Sequence, residues 1–93
     1  MFQYSRDYLR MLRNNIPIDS VIMHLLKMEV RKTTGILRFR CPMCGNYHTA
    51  VKAKTNLARC FDCGVNFNPI DLVKAVLGCS FLDAVQYLEK SIS

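Results

Sequence analysis

Apolar residues recur at helical spacing near the start of the chain. A period close to 3.6 residues predicts a first helix over residues 5–14, with an apolar side formed by Tyr8, Leu9 and Leu12. Three arginines recur on another side of this helix: Arg6, Arg10 and Arg13. Pro17 ends the pattern, and Asp19 is suited to cap a second helix that runs to about residue 27. The buried stripe of this second helix is predicted to comprise Val21, Ile22, Leu25 and Leu26.

In the middle of the chain the pattern changes to a period of two, which is typical of half-buried strands. Strands are predicted over residues 28–32, 36–40, 49–54 and 57–59, with a turn at 33–35 between the first two. Apolar and basic residues alternate along them, for example at Leu37 and Arg38. If neighbouring strands pair antiparallel, one exposed face of the sheet carries five basic residues: Arg38, Arg40, Lys52, Lys54 and Arg59.

The C-terminal third is predicted to be helical. Asn68 is suited to cap a helix with Pro69 at its first position, and Gly78 is suited to end it. Ser80 begins a capping box for a final helix. We interpret the apolar stripes of the two helices as core rather than partner surface: Leu72, Val73, Val76 and Leu77 in the first, and Phe81, Val85 and Leu88 in the second.

Four of the five cysteines form two C-x-x-C-G units, and fifteen residues separate the second of these cysteines from the third. Two such pairs at this spacing place four thiolates tetrahedrally around one Zn²⁺, and a glycine after each pair suits the left-handed turn that closes the loop. The predicted ligands are Cys41, Cys44, Cys60 and Cys63. Four protein ligands leave no position for water, so the predicted role of the single zinc ion is structural.

Other fates of the paired cysteines stay open at this point. Disulfides are disfavoured because residues 1–13 hold three arginines and no apolar run, so no secretory signal is apparent and the thiols are expected to stay reduced. A redox dithiol is disfavoured because no βαβ pattern surrounds either pair. Iron competes with zinc, since C-P-x-C-G loops also occur in rubredoxins. The fifth cysteine, Cys79, is interpreted as a small packing residue.

Positive charge is concentrated in the first part of the chain. The formal net charge is +6, and four thiolates with Zn²⁺ lower it to about +4. Residues 1–40 hold eight Lys or Arg against three acids, whereas residues 69–93 hold two against three. This distribution favours an acidic partner, nucleic acid first, with a solvated basic surface as the simpler alternative. No segment approaches the roughly 20 apolar residues of a membrane span, and a cytoplasmic location is expected, at the nucleoid if the source is bacterial.

The stretch from Ile16 to Leu88 resembles the N-terminal zinc-binding domain of bacterial replicative DNA primases. The sequence I-P-I-D-S-V at 16–21 is similar to the helix that opens that domain, F-R-C-P-M-C at 39–44 to its first cysteine loop, and C-F-D-C-G at 60–64 to its second. Asn68 and I-D-L at 70–72 resemble the helix that follows, and Phe81, Ala84 and Val85 resemble the last helix. Cys44 stands where the family usually has histidine, a replacement that zinc accepts. Residues 48–51, the hairpin before Cys60 and residues 66–67 also depart from the family pattern.

The resemblance implies a fold as well as a function. The expected fold class is α+β: a small zinc ribbon, meaning a short antiparallel sheet with two zinc-binding loops, flanked by N-terminal and C-terminal helices. Residues 1–93 then form one domain, with helices over 1–27, the ribbon over 28–67 and helices over 68–93. The resemblance also implies recognition of a single-stranded DNA template beside a separate catalytic domain. The seven acids of this chain are scattered rather than clustered for Mg²⁺, so no catalytic activity is expected.

The leading hypothesis is a zinc-stabilised module that binds single-stranded DNA in primer synthesis or replication initiation, as an accessory subunit or an N-terminal fragment of a primase. The initial methionine favours the accessory subunit. Basic sheet residues would contact phosphates, and exposed aromatic rings would stack on bases. The further contact candidates are Tyr47, His48, Phe61 and Phe67. The alternatives are a protein-interaction adaptor that docks on a polymerase, a helicase or a primase catalytic domain, and a ribbon that reads duplex DNA.

Overall fold

The first helix forms where the apolar period predicts it. The computed structural model of the chain describes residues 4–92, so residues 1–3 and 93 of the predicted domain lie outside this range. Helix α1, Arg6–Asn15, begins after Ser5, whose hydroxyl accepts a hydrogen bond from the backbone N–H of Tyr8. This bond satisfies one of the backbone donors that the first turn of a helix leaves unpaired.

The second helix is capped by a distant residue rather than by its own sequence. Helix α2 comprises Ile18–Ser20 and widens into a π-helical segment, Val21–Leu25. The predicted N-cap Asp19 is wrong: Pro17 holds that position without a side-chain bond, and Asp19 lies inside the first turn. Asn56, from a turn 38 positions later than Ile18, accepts the hydrogen bond from the Ile18 N–H at 2.8 Å. A cap supplied from so far along the chain leaves no local sequence signal.

Five short strands form one antiparallel sheet whose spatial order follows the chain: β1 Val30–Thr33, β2 Ile36–Phe39, β3 Thr49–Lys52, β4 Leu57–Cys60 and β5 Asn66–Phe67. The first four strands lie where the period of two predicts them. Thr34 and Gly35 join β1 to β2 with φ angles of 50° and 78°, as a tight hairpin turn requires. Two details differ from the prediction. The sequence does not predict β5, and Lys54 lies in the turn after β3 rather than on a strand.

Two helices complete the fold, α3 over Pro69–Leu77 and α4 over Phe81–Ile92. The side chain of Asn68 accepts a hydrogen bond from the Asp71 N–H at 2.8 Å, as predicted for an N-cap. Gly78 ends α3 with a φ of 62°, which a residue without a Cβ adopts at little cost. The described helices include none that is long and apolar enough to cross a membrane.

The core lies between the helices and one face of the sheet. Phe39 and Ala58 are fully buried on the sheet side, and α3 packs against β5, α1 and α4. The helices contribute Leu12, Ile18, Val21, Ile22, Ile70, Leu72, Val73, Val85 and Leu88. Leu77 and Phe81, predicted as members of the core stripes, are instead 48% and 44% exposed, at the last residue of α3 and the first residue of α4. The molecule is thus the predicted α+β zinc ribbon, with helices on one face of the sheet and the other face open.

Candidate metal centre and the open sheet face

Two matching loops lie at one end of the sheet. The first knuckle, residues 41–45, leads from β2 toward β3, and the second, residues 60–64, leads from β4 toward β5. In each knuckle the glycine N–H donates to the carbonyl of the first cysteine at 2.9 Å. Gly45 and Gly64 have φ angles of 78° and 71°, the left-handed conformation predicted from their positions. Each turn therefore directs its two cysteine side chains to the same point.

The four sulfur atoms form a site of the size that zinc requires. All four lie within 4.8 Å of one another. The Sγ atoms of Cys41 and Cys63 are 3.7 Å apart, and those of Cys44 and Cys60 are 3.5 Å apart. A tetrahedral ion with Zn–S bonds of about 2.3 Å separates its ligand sulfurs by about 3.8 Å. Four thiols at this spacing therefore fit one zinc ion, and neither a disulfide nor an octahedral oxygen site matches the geometry.

The protein surrounds the sulfurs with hydrogen-bond donors. Burial by itself raises the pKa of the Cys60 thiol, but the backbone N–H groups of Cys63 and Asp62, together with the Cys63 thiol and the Thr49 hydroxyl, lower that pKa to about 6. The Met43 N–H lies 3.4 Å from the sulfur of Cys41. These donors stabilise the thiolate form of Cys60, which is the form that binds metal. Without the ion, the hydrogen bond between the two sulfurs raises the pKa of the Cys63 thiol to about 12, so Cys60 is the first of this pair to lose its proton.

The buried hydroxyl of Thr49 also indicates a metal-bound thiolate at Cys60. This hydroxyl is fully buried and has no hydrogen-bond partner at standard distance among the described residues. Thr49 lies directly opposite Cys60 in the β3–β4 ladder. A buried hydroxyl without a partner is costly, and a metal-bound thiolate on the neighbouring strand is the acceptor that the fold places beside it.

The open face of the sheet carries a row of arginines at right angles to the strands. Arg31 on β1 lies opposite Arg38 on β2, Arg38 lies opposite Ala50 on β3, and Ala50 lies opposite Arg59 on β4. Directly opposite residues share a face of the sheet, so the three arginines form one line across it, which we call the arginine row. Asn66 on β5 continues the line and lies 3.4 Å from Arg59 Nη1.

The other predicted basic residues lie around this row. Lys52 is exposed at the end of β3, two residues from Ala50 and therefore on the same face. Arg40 follows β2, and its Nε donates to the Gly45 carbonyl at 3.0 Å, which holds the side chain against the first knuckle. Lys54 lies at the opposite end of the sheet from the zinc site, in the turn between β3 and β4.

The aromatic candidates occupy three different environments. Phe61, at the tip of the second knuckle, is 64% exposed. Tyr47 is half-buried, with the Arg31 guanidinium 4.0 Å from its ring centroid, and a hydrogen bond to Glu29 raises the pKa of its hydroxyl. Phe67 is only 2% exposed and belongs to the core, so its ring has no free face for a base. Of the predicted stacking residues, Phe61 is thus the one with an open ring.

His48 joins the two halves of the metal site. Its Nδ1 lies 2.6 Å from Asp62 Oδ2, and its backbone carbonyl accepts a hydrogen bond from the Phe61 N–H. Asp62 belongs to the second knuckle, whereas His48 directly precedes β3, so the pair fixes the second knuckle to the central strand. His48 remains exposed at this position and is not needed as a zinc ligand.

Three exposed residues escaped the sequence interpretation. Arg31 was overlooked although it alternates with Val30 in a predicted strand, and only the β1–β2 register places it in the arginine row. Met43 is 65% exposed at the tip of the first knuckle, and Ile36 is 40% exposed at the start of β2. Knuckle tips point outward because their cysteines point inward, a signal that was available for Met43.

The comparisons with known proteins agree with this geometry. Residues 4–93 match a family model described as Zn_ribbon_DnaG, CHC2 zinc finger. The fold is similar to that of the crystal structure of the Aquifex aeolicus primase with its zinc-binding and RNA polymerase domains, at a TM-score of 0.76 and 27% sequence identity. That similarity covers 95% of this chain and 22% of the primase chain, so the protein spans about a fifth of its length. A search of curated proteins finds no match.

The predicted resemblance and the predicted cofactor are both confirmed. The family match takes in all but the first three residues, and members of this zinc-finger family bind zinc. The four clustered cysteines hold one such ion, and the set contains cysteine at every position. The chain therefore belongs to the CHC2 zinc-finger family of DnaG primases, as a zinc-binding domain that is distinct from the catalytic part.

Proposed function

We propose that the chain is a zinc-stabilised module that binds single-stranded DNA during primer synthesis, without catalytic activity of its own. The observation that carries this proposal is the arginine row on the open sheet face. Membership of the primase zinc-finger family supports the connection with priming. The module acts as an accessory subunit or as the N-terminal part of a primase, in the cytoplasm and, in a bacterium, at the nucleoid. Residues 1–93 act as one domain.

The arginine row is a site for anions rather than a set of internal ion pairs. In the part of the chain that the structure describes, no carboxylate lies within 4 Å of Arg31, Arg38 or Arg59. Like charges directly opposite each other weaken a sheet, and Arg31 and Arg38 are such a pair. A bound polyanion reverses this repulsion. The repulsion that the sheet tolerates at Arg31 and Arg38 therefore supports a role of these residues in binding an anion.

The dimensions of the row suit a strand of DNA. Neighbouring strands of a sheet are about 4.8 Å apart, so the line from β1 to β4 extends over about 14 Å. Even the spacing of about 4.8 Å between neighbouring strands exceeds the rise of roughly 3.4 Å per phosphate along a DNA strand. Arg31, Arg38 and Arg59 therefore contact different phosphates. Zinc keeps the two knuckles, and with them the ends of β2 and β4, in fixed positions. Lys52 and Arg40 extend the positive face beyond the row.

Apolar side chains next to the row provide surfaces for bases. Phe61 has an exposed ring at the tip of the second knuckle, and Ile36 is 40% exposed two residues before Arg38 on β2, and therefore on the same face of the sheet. Stacking of one base on an aromatic ring contributes roughly 1–3 kcal/mol and tolerates any sequence. Only unpaired bases offer their faces in this way, which favours single strands over duplex DNA.

A second function is favoured by a separate observation. Leu77, Phe81 and Leu82 are 48%, 44% and 43% exposed at the α3–α4 turn, away from the arginine row. An apolar corner of this kind suits a protein partner. The partner in this case is a primase catalytic domain, a polymerase or a helicase, and docking there is compatible with DNA on the open face.

The test is fluorescence anisotropy with labelled single-stranded and duplex DNA, using protein that mass spectrometry confirms to carry one zinc. We expect saturable binding that prefers the single strand and weakens with salt. Arg38→Gln with Arg59→Gln should lower the slope of log K against log salt by about 1.4, since each phosphate contact on a single strand contributes about 0.7. Lys32→Gln with Lys74→Gln removes the same charge from exposed positions outside the open face and serves as the control. An equal effect of the two double variants would contradict the proposal.

A further inference from the structure

A second basic site lies at the end of the sheet opposite the zinc. A cavity of about 320 Å³ opens between the C-terminal half of α1 and the turn that joins β3 to β4. Its walls carry mainly basic and uncharged polar side chains, with Leu57 as the apolar exception: Arg10, Arg13, Asn14, Thr55, Asn56 and Asn68. The cavity volume is at the lower end of the range for small-ligand sites.

The charges in this cavity are unbalanced. The lining includes two guanidinium groups and no acid. Among the described residues, no carboxylate lies within 4 Å of Arg10 or Arg13. Residues three positions apart on a helix are neighbours, with Cβ atoms about 5–6 Å apart, and two like charges at this spacing repel. Lys54 directly precedes Thr55 in the same turn and is exposed, which adds positive charge near the opening.

The walls of the cavity are held in place before any ligand binds. The Asn56 side chain donates to the carbonyls of Arg13 and Ile16 at 2.6 and 2.8 Å, and it accepts from the N–H of Ile18. This side chain therefore fixes the β3–β4 turn against the end of α1 and caps the carbonyls that would otherwise repel an anion. Asn68, the N-cap residue at the positive N-terminal end of α3, also lines the cavity.

From these observations we propose that the cavity binds a phosphate group. Arginine presents five N–H donors in a planar fork that matches two oxygens of a phosphate, and two arginines line this space. The phosphate belongs either to a free nucleoside triphosphate or to a DNA strand that leaves the open sheet face at the β3–β4 end. The inference does not depend on the arginine row, because none of its three arginines lines the cavity.

The test is NMR titration of zinc-loaded, ¹⁵N-labelled protein, following the Arg10 and Arg13 side-chain Nε–Hε resonances. The probes are inorganic pyrophosphate, adenosine triphosphate, and a short oligothymidylate with or without a 5′-phosphate. We expect Arg10→Gln with Arg13→Gln to weaken binding of pyrophosphate at least about tenfold, the effect of losing one charged hydrogen bond or more. Arg10→Lys with Arg13→Lys keeps the charge without the fork and should lie between that variant and the wild type.

The control is Arg6→Gln with Lys32→Gln, which removes equal charge from exposed positions outside the cavity. Saturable shifts at Arg10 and Arg13 that survive in the control support the site. If adenosine triphosphate binds more tightly than the phosphorylated oligonucleotide, the source is a nucleotide, and the reverse order indicates a strand. Absence of saturable shifts with every probe, or equal weakening in the control, would overturn the proposal.

Discussion

Replacing Asn56 by alanine should destabilise the protein although Asn56 lies in a surface turn. Its amide makes three hydrogen bonds to backbone groups of α1, α2 and the segment between them, at 2.6–2.8 Å. Its φ of 55° is also in the left-handed region, which asparagine tolerates better than alanine. Pro17, at the N-cap position of α2, has no side-chain bond to offer, and Asp19 accepts only from the Ser20 N–H, so the Ile18 N–H depends on Asn56. The substitution therefore removes a cap, two further bonds and a favourable backbone conformation together.

The expected loss follows from these terms. An N-cap contributes about 1 kcal/mol, and each bond to a backbone carbonyl contributes about 0.5–1.5 kcal/mol. Left-handed strain for alanine adds about 1 kcal/mol. We therefore expect Asn56→Ala to lower the free energy of unfolding by about 3–5 kcal/mol, which for a domain of this size lowers Tm by more than about 12 °C.

The assay is thermal unfolding of the zinc-loaded protein followed by circular dichroism, with zinc content measured in parallel. Asn56→Gly removes the same bonds but relieves the strain, so it should be about 1 kcal/mol less destabilising than alanine. Zinc content should stay at one ion, because the knuckles lie at the other end of the sheet. A loss below about 0.5 kcal/mol for Asn56→Ala, the range of ordinary surface changes, would refute this role of Asn56.

Three further predictions concern the knuckles and the terminal helices. Cys44→His should retain one zinc, because Cys44 is exposed and zinc accepts imidazole, whereas Cys44→Ala should lose the ion. Native mass spectrometry measures the zinc content of both variants, and loss of zinc in both would contradict the ligand assignment. Gly45→Ala and Gly64→Ala should each lower the free energy of unfolding by about 1–2 kcal/mol. The loss comes from backbone strain alone, since an added Cβ meets at most an ordinary contact. Denaturant unfolding measures the loss, and an unchanged free energy of unfolding would exclude the strain. Glu89→Gln should lower Tm at pH 7. The hydroxyls of Tyr4 and Tyr8 each donate to this carboxylate at 2.6 Å and lower its pKa, so its contribution is present above about pH 4.3 and is lost as the pH falls through the folded-state pKa. The Tm difference between Glu89→Gln and the wild type should accordingly shrink in acid, and a constant difference would contradict the linkage.

The parts of the fold that depend on local chemistry were predictable from the sequence. Ser5, Asn68 and Gly78 end or begin helices through bonds and dihedral angles within four residues, so their roles are visible in the sequence itself. The two C-x-x-C-G units are likewise local, and their geometry agrees with a single zinc ion.

The parts that depend on distant contacts were not predictable. Asp19 is a good N-cap by type, yet Asn56 takes that role from another element, and no pattern near residue 19 reveals it. Phe67 follows a knuckle and was expected to be exposed, but pairing of β5 with β4 turns it into the core. Arg31 joins Arg38 and Arg59 only through the register of three strand pairs, which alternation alone leaves free to shift.

Two neighbouring basic residues on β1 distinguish the open face of the sheet from the face that packs on the helices. Arg31 and Lys32 are both exposed and both basic, but they point to opposite faces of the sheet, and only Arg31 belongs to the arginine row. Binding of single-stranded DNA would be titrated at several salt concentrations for Arg31→Gln and Lys32→Gln. We predict that Arg31→Gln lowers the salt slope by about 0.7 while Lys32→Gln leaves it unchanged. Equal slopes for the two variants would contradict the assignment of the open face as the DNA-binding surface.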